Sequence, residues 1–467
     1  MNKTLWEKAL EFSFDQPNDQ YGFSTRLALE NHWTVNFTQS AIIEYKKFMF
    51  LAATNNEMVS PSEIVDIVWH EHLIFTNSYT DFCNVLGKRI EHIPSTHNRL
   101  EFEKFQNAKE RTTTLYEINF GTQPAEIWHY QNELDSLDLE KSKYEVSKLK
   151  KNFFKYTIFL SFPVCLIIFS LLIKIQNPDF LIGYLLLFVA AILILKMYVH
   201  KSFTSLYNKI KSNSILRNLT PLEMVYFKED KLQFVVHGVV NNLIMNHKIK
   251  ILTNNRLELI DDNFVENKYE NCIIEIMKDF DPMPYDQLCK AAIQKPLFEQ
   301  IEKATYRIKN RIINSKEFTR VIMTVMIVLG FLLSIAFSRF LTGIWRGKPI
   351  TFLFIAIVPL VLVSFYYLNQ VLNLMFVNII PSLVEAEILD KGESKRAWEW
   401  DYYLYGNIIL ASAFIPLTNY AAPSSTGSFF SSSNSGSSSC GSSGGSSCGS
   451  SCGSSCGSSC GGCGGGD

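Results

Sequence analysis

Four runs of apolar residues, arranged in two close pairs, constrain this chain more than any other feature of its sequence. They extend from Phe153 to Ile175, Phe180 to Val199, Val321 to Phe337 and Ile350 to Leu368. Each approaches the ~20 residues that a helix needs to cross a ~30 Å hydrocarbon layer. Short links at Gln176-Asn177-Pro178-Asp179 and Thr342–Pro349 turn them into two transmembrane hairpins, 152–200 and 318–372. The expected fold class is mainly α, with a helical soluble N-terminal domain (1–140) and four transmembrane helices in two hairpins. Between the hairpins lies a small winged-helix-like α+β central domain (216–314), and after them come a membrane-proximal segment (381–423) and a disordered C-terminal tail (424–467).

Basic residues beside the spans set the expected orientation. Lys141, Lys143, Lys148, Lys150, Lys151 and Lys155 precede the first span, and Lys196, Lys201, Lys209, Lys211 and Arg217 follow the second. Lys303, Arg307, Lys309, Arg311, Lys316 and Arg320 precede the third. The hairpin tips carry fewer: Lys174 in one, and Arg339, Arg346 and Lys348 in the other. Met1 to Gln16 includes Trp6, Glu7, Glu11 and Asp15 and has no apolar core of a secretory signal. Both termini and the central domain are therefore expected on the cytoplasmic side. Formal net charge is −1, so no global attraction to nucleic acid is visible.

Thr38 to Ala53 places Ala41, Ile42, Tyr45, Phe48, Met49 and Ala52 on one helical stripe. Ser60-Pro61-Ser62-Glu63 reads as a capping box with proline at the first helical position, opening a helix toward His72. A further helix is expected from Ser78 to Gly87. The central region opens on a second capping box, Thr220-Pro221-Leu222-Glu223, followed by a helix from Phe234 to Met245. Two β-like runs, Lys248–Leu252 and Arg256–Ile260, are joined by the turn pair Asn254-Asn255. Helix, helix and hairpin give the winged-helix-like order. Acidic and basic residues nearly balance between Arg217 and Asn310, so a basic recognition face is missing and no nucleic acid is expected as a partner. Tyr402 to Leu417 is apolar but short and is interrupted by Gly406, Asn407 and Pro416, which suits a packed or interfacial element.

The densest cluster of candidate ligands is Asp66-Ile67-Val68-Trp69-His70-Glu71-His72, followed by Cys83 and His92, with His97 a weaker candidate. Imidazole, thiolate and carboxylate are the donors that zinc takes. On a regular helix His70 and His72 point about 200° apart, whereas Asp66 and His70 share a face. The metal candidates are therefore His70, His72, Cys83 and His92, with Asp66 as a ligand or as support, and the candidate cofactor is zinc. The alternative is a buried Asp66–His70 hydrogen-bonded pair with Cys83 as a small core residue. No zincin helix, phosphate-binding loop or dinucleotide fingerprint appears, and no catalytic residue is assigned.

Of ten cysteines, Cys440, Cys448, Cys452, Cys456, Cys460 and Cys463 lie in the tail, mostly four apart among serine and glycine. The others, Cys83, Cys165, Cys272 and Cys289, are scattered, unlike a disulfide framework. A tail of this composition cannot bury a core, and its thiols suit a soft ion such as Cu(I) or Zn(II), oxidation or crosslinking.

Two regions carry a family resemblance. Asp66-x-x-Trp69-His70-x-His72, with Thr76, Tyr79, Phe82-Cys83, Gly87 and His92-x-Pro94, resembles the core of the glycine-rich domain proteins of plants and bacteria. Leu219-Thr220-Pro221-Leu222-Glu223, with His237-Gly238-Val239-Val240 and Leu243, resembles a bacterial membrane-protein domain that precedes Gly/Cys-rich low-complexity tails. The resemblance implies the architecture and supplies no reaction. The reading that follows is a scaffold or sensor in the inner membrane of a bacterium, with the lipid bilayer as its one assigned partner. A metalloenzyme using His70, His72 and His92, or metal capture by the tail, is the alternative.

Overall fold

The computed structural model describes residues 2–16, 19–93, 101–211, 214–348, 350–390 and 397–421. It is mainly helical. Among the described residues, the α-helices of the N-terminal region are α1 (Lys3–Glu11), α2 (Phe23–Asn31), α3 (Val35–Thr54), α4 (Glu63–Ile74), α5 (Thr76–Leu86), α6 (Phe102–Phe120) and α7 (Ala125–Trp128). Their core is strongly aromatic, with Phe23, Tyr45, Phe48 and Phe82 each almost completely buried. The proposed cap at Ser60 is corrected by two residues. Ser62 caps α4, its Oγ accepting from Val65 N at 3.2 Å, while Ser60 N donates to Thr112 Oγ1 at 2.8 Å. Pro61 therefore precedes the cap instead of occupying the first helical position.

Among the described residues, four helices are long and apolar enough to cross a membrane, consistent with an integral membrane protein: α8 (Val146–Lys174), α9 (Asn177–Ile210), α16 (Lys316–Trp345) and α17 (Thr351–Leu374). The consecutive α16 and α17 pack together, but α8 finds its main partner outside its own pair. The hub is α16, which packs against the other three and most extensively against α8, whereas the consecutive α8 and α9 make little contact. Gly330, Ser334 and Ser338 explain this. Spaced four apart, they form a small-residue stripe that lets two backbones approach, the interaction that holds helices together where lipid supplies no hydrophobic drive. Ser334 Oγ lies 3.2 Å from Thr157 O and Ser338 Oγ 3.1 Å from Ser161 O, in addition to bonds of 2.7 Å that each makes to a carbonyl of α16 itself. The third span also runs past Phe337 to Trp345, which places Arg339 within the helix rather than on the connecting tip.

Between α9 and α16 lie α10 (Ser214–Arg217), α11 (Pro221–Glu229), α12 (Leu232–Met245), α13 (Lys268–Asp279), α14 (Tyr285–Ile293) and α15 (Pro296–Ile313). A three-stranded antiparallel sheet accompanies them, in the order β1 (Ile249–Ile251), β2 (Arg256–Leu259), β3 (Met283–Pro284), with Ile249 opposite Leu259 and Arg256 opposite Pro284. The box at Thr220 forms as read: Thr220 Oγ1 accepts from Glu223 N, and the Glu223 carboxylate accepts from Thr220 N at 2.7 Å. After α17 a π-turn leads into α18 (Ile380–Asp390); α19 (Trp398–Tyr405) and α20 (Ile415–Ala421) then fold back onto the central region. Tyr402, Tyr403, Phe414 and Leu417 are buried there, so this stretch is a packed element.

The N-terminal region docks on the central one through α2 against α15 and through the start of α3. Val35 N donates to Glu223 Oε1 at 2.9 Å, and Thr34 Oγ1 donates to Glu133 Oε1 at 2.8 Å. Two carboxylates thus meet the positive end of α3. Burial nevertheless pushes the Glu133 carboxyl up to about 7.

Candidate metal centre

Helix α4 shows two different faces. Inward, His72 is fully buried, with Nδ1 at 2.9 Å from Tyr45 Oη and Nε2 at 3.1 Å from Ser78 Oγ. Both ring nitrogens are engaged, and burial pushes the imidazole down to about 3, so it is neutral. Outward, Asp66 and His70 stand one turn apart, His70 Nδ1 lying 3.5 Å from Asp66 Oδ2. Because α4 continues regularly to Ile74, His70 and His72 point away from each other, as 3.6 residues per turn require.

His92 reaches the outer face by a specific route. Gly87 ends α5 at a φ of 73°, a left-handed conformation that glycine adopts without Cβ strain. The chain then turns back along α4. Lys88 Nζ donates to Ala52 O at 3.0 Å and to Asn55 O at 2.8 Å, tying the segment to the end of α3. Trp69 Nε1 donates to Tyr79 Oη at 3.2 Å, and Tyr79 Oη donates in turn to Ile90 O. The His92 ring packs edge-on against Trp69 with 4.6 Å between centroids. Its Nε2 lies 3.0 Å from Asp66 Oδ1, and its centroid is 4.4 Å from that of His70.

Asp66, His70 and His92 each offer one donor atom, and these atoms all lie within 4.8 Å of one another. Two donors at about 2.0–2.1 Å from a tetrahedral zinc are about 3.3 Å apart, so the spacings at Asp66 suit such an ion. The donor set, two imidazoles and a carboxylate, is one that zinc accepts, and it leaves a fourth position. Asp66, His70 and His92 all line a cavity of about 510 Å3 whose walls also include Phe48, Met58, Trp69, Ile90 and Phe105. Cys83 stands apart from this group, buried in the N-terminal core beside Phe82. His97 and the tail thiols Cys440, Cys448, Cys452, Cys456, Cys460 and Cys463 lie outside the described residues.

Most residues of the Trp-His-x-His pattern now have a physical task; Pro94 lies outside the described residues. Asp66, His70 and His92 converge, Trp69 and Tyr79 position His92, Gly87 turns the chain, and His72, Phe82 and Cys83 build the core. Residues 23–115, the stretch that contains this arrangement, match the UCP032817-like family. The likeness is regional. A stretch of 92 residues is 33% identical to glycine-rich domain-containing protein 1 of Arabidopsis thaliana, covering 18% of this chain and 11% of that protein. No solved structure matches the chain.

The segment 88–93 was the part hardest to read from sequence. It has no periodicity, and its path depends on two hydrogen bonds from Lys88 and one accepted by Ile90. Glycine at position 87 was the available signal, since it marks the reversal that returns His92 to α4.

Proposed function

We propose that the protein is a membrane-held scaffold or sensor whose N-terminal region binds a divalent transition metal, zinc by donor type, through Asp66, His70 and His92. The observation that carries this reading is the convergence of their donor atoms within 4.8 Å. The ion would tie the irregular segment 88–93 to α4, so that its binding free energy adds to folding free energy. The test is elemental analysis of the full chain purified in detergent without chelator, then challenged with zinc and dialysed. It is run with Cys440, Cys448, Cys452, Cys456, Cys460 and Cys463 changed to serine, because thiolates in the tail take soft ions themselves. About one tightly held ion per chain is expected, lost in His92→Ala. A parent chain that retains no more metal than His92→Ala would remove the proposal and leave Asp66 as a hydrogen-bonding partner of two histidines.

The cavity lined by Asp66, His70 and His92 favours a second reading, a metalloenzyme. In this version His70 and His92, with Asp66 in place of the buried His72, hold the ion. A bound ion of this type supplies Lewis acidity and an acidified water. Asp66 and the two imidazoles would fix its position, while Trp69 keeps the His92 ring in place.

The remaining architecture completes the proposal. The spans form two hairpins in the inner membrane of a bacterium, and the order α11, α12, β1, β2 follows a winged-helix-like plan. Basic flanks support an orientation with both termini in the cytoplasm. Cys272 and Cys289 are buried, so labelling by an impermeant thiol reagent must be read at the tail. Tail thiols that are labelled in sealed cells would reverse the orientation.

A further inference from the structure

The basic tip that sits awkwardly with a simple charge rule has a chemistry of its own. Helix rise sets its depth. Lys155 to Lys174 in α8, and Arg320 to Arg339 in α16, each span about 28 Å at 1.5 Å per residue, close to the thickness of the hydrocarbon layer. Lys174 and Arg339 therefore lie at the boundary opposite the Lys/Arg flanks, joined there by Arg346 and Lys348 after the end of α16.

Part of this charge has a local purpose. Arg339 is buried, donates to Ile175 O at 2.8 Å and lies over the Phe180 ring at 4.9 Å. Arg346 Nη1 donates to Ile173 O at 3.3 Å. Two guanidinium groups thus meet carbonyls at the negative end of α8. That purpose does not extend to Lys174 or Lys348, which are exposed, and it uses one of the five donors of the exposed Arg346. Among the described residues no carboxylate pairs with Lys174, Arg346 or Lys348. Arg339, Arg346 and Lys348 also line a common crevice. Trp345 and Phe352, 74% and 80% exposed, flank Arg346 and Lys348 along the chain and offer apolar surface at this end of the spans.

We propose that Lys174, Arg346 and Lys348, grouped around Arg339 at the far ends of α8 and α16, bind the phosphate of an anionic phospholipid in the adjoining leaflet. A lipid is the occupant because depth and flanking aromatics place acyl chains beside the charges, where a free anion in water would find nothing to recognise except screened cations. The arrangement also gives basic residues on this side a role independent of topology.

The test uses the full chain in mild detergent, with co-purified phospholipids extracted and quantified by headgroup class. Each basic residue near an anionic surface contributes about fivefold to affinity, so the double variant Arg346→Gln/Lys348→Gln should retain at least tenfold less anionic phospholipid per chain. Zwitterionic lipid should be unchanged, and excess inorganic phosphate should not displace the bound lipid. The charge-conserving pair Arg346→Lys/Lys348→Arg should retain it. Equal anionic lipid in the Gln variant would overturn the site, as would loss in the charge-conserving pair. Complete displacement by inorganic phosphate would overturn the assignment to a lipid.

Discussion

Two regions of the molecule carry histidine on a helix, α12 in the centre and the outer face of α4 near the N-terminus, and they cover it differently. In the central region His237 on α12 is 2% exposed, its Nδ1 hydrogen-bonded to Tyr285 Oη. Gly238 follows, and only its bare backbone admits the Tyr402 ring, because a Cβ there would lie 2.5 Å from Tyr402 Cδ1. Helix α19 thus seals α12. In the N-terminal region the outer face of α4 is covered by the irregular segment 88–93 instead of a helix, and a cavity remains beside His70 and His92. The difference teaches that the element laid over a histidine decides its chemistry. A packed helix makes it a neutral structural group, and a single returning segment leaves it beside a cavity, where it can serve as the proposed ligand.

The largest expected effect separates the two faces of α4. His70→Ala should lower zinc affinity by roughly a hundredfold or more, while the metal-free chain melts unchanged because His70 is 56% exposed. His72→Phe should do the reverse. It should leave affinity within about threefold and cost about 1–3 kcal/mol, because Tyr45 Oη loses its buried partner. Calorimetry on both variants reads the two quantities, and metal loss in His72→Phe alone would invert the comparison.

A smaller effect concerns the sealed histidine and pH. Burial pushes His237 down to about 4, below the ordinary value of 6.5. The unfolded chain therefore takes up a proton first as pH falls. The stability tied to neutral His237 is complete above about 6.5 and is lost progressively toward pH 4, by at most ~3 kcal/mol at 1.36 kcal/mol per unit. In His237→Gln the thermal unfolding of the chain should decline less over that interval. Parallel declines would mean that the group is not held neutral, and the contrast with the α4 cavity would fail.

The sequence made the membrane helices legible because length and continuous apolarity are local properties. It made the shared face of Asp66 and His70 legible because that follows from helical spacing alone. It did not separate His70 from His72 as metal candidates by burial, since both lie in the same apolar surroundings, and the choice is made by Phe14, Phe23 and Tyr45 packing around one of them. The role of α16 as hub was also present, in Gly330, Ser334 and Ser338, but apolar length alone hides it. Pairing by proximity in sequence missed that α16 seeks α8 across an intervening folded region.

That partnership sets a clock for biosynthesis. Lys316 follows Lys174 by 142 positions (316 − 174), so at about 5–20 residues per second α8 emerges on the order of ten seconds before its main partner. During that delay it must persist in lipid without α16. Its polar side chains are prepared for the wait: Thr157 Oγ1 donates to Phe153 O, and Ser161 Oγ donates to Ile158 O, so both hydroxyls are satisfied within their own helix. Ser334 and Ser338 are satisfied in the same way within α16, donating to Gly330 O and Ser334 O at 2.7 Å each, and approach Thr157 O and Ser161 O only when the helices meet. Each helix is thus self-sufficient as an insertion intermediate, and close approach along the small-residue stripe, not a hydroxyl in want of a partner, completes assembly.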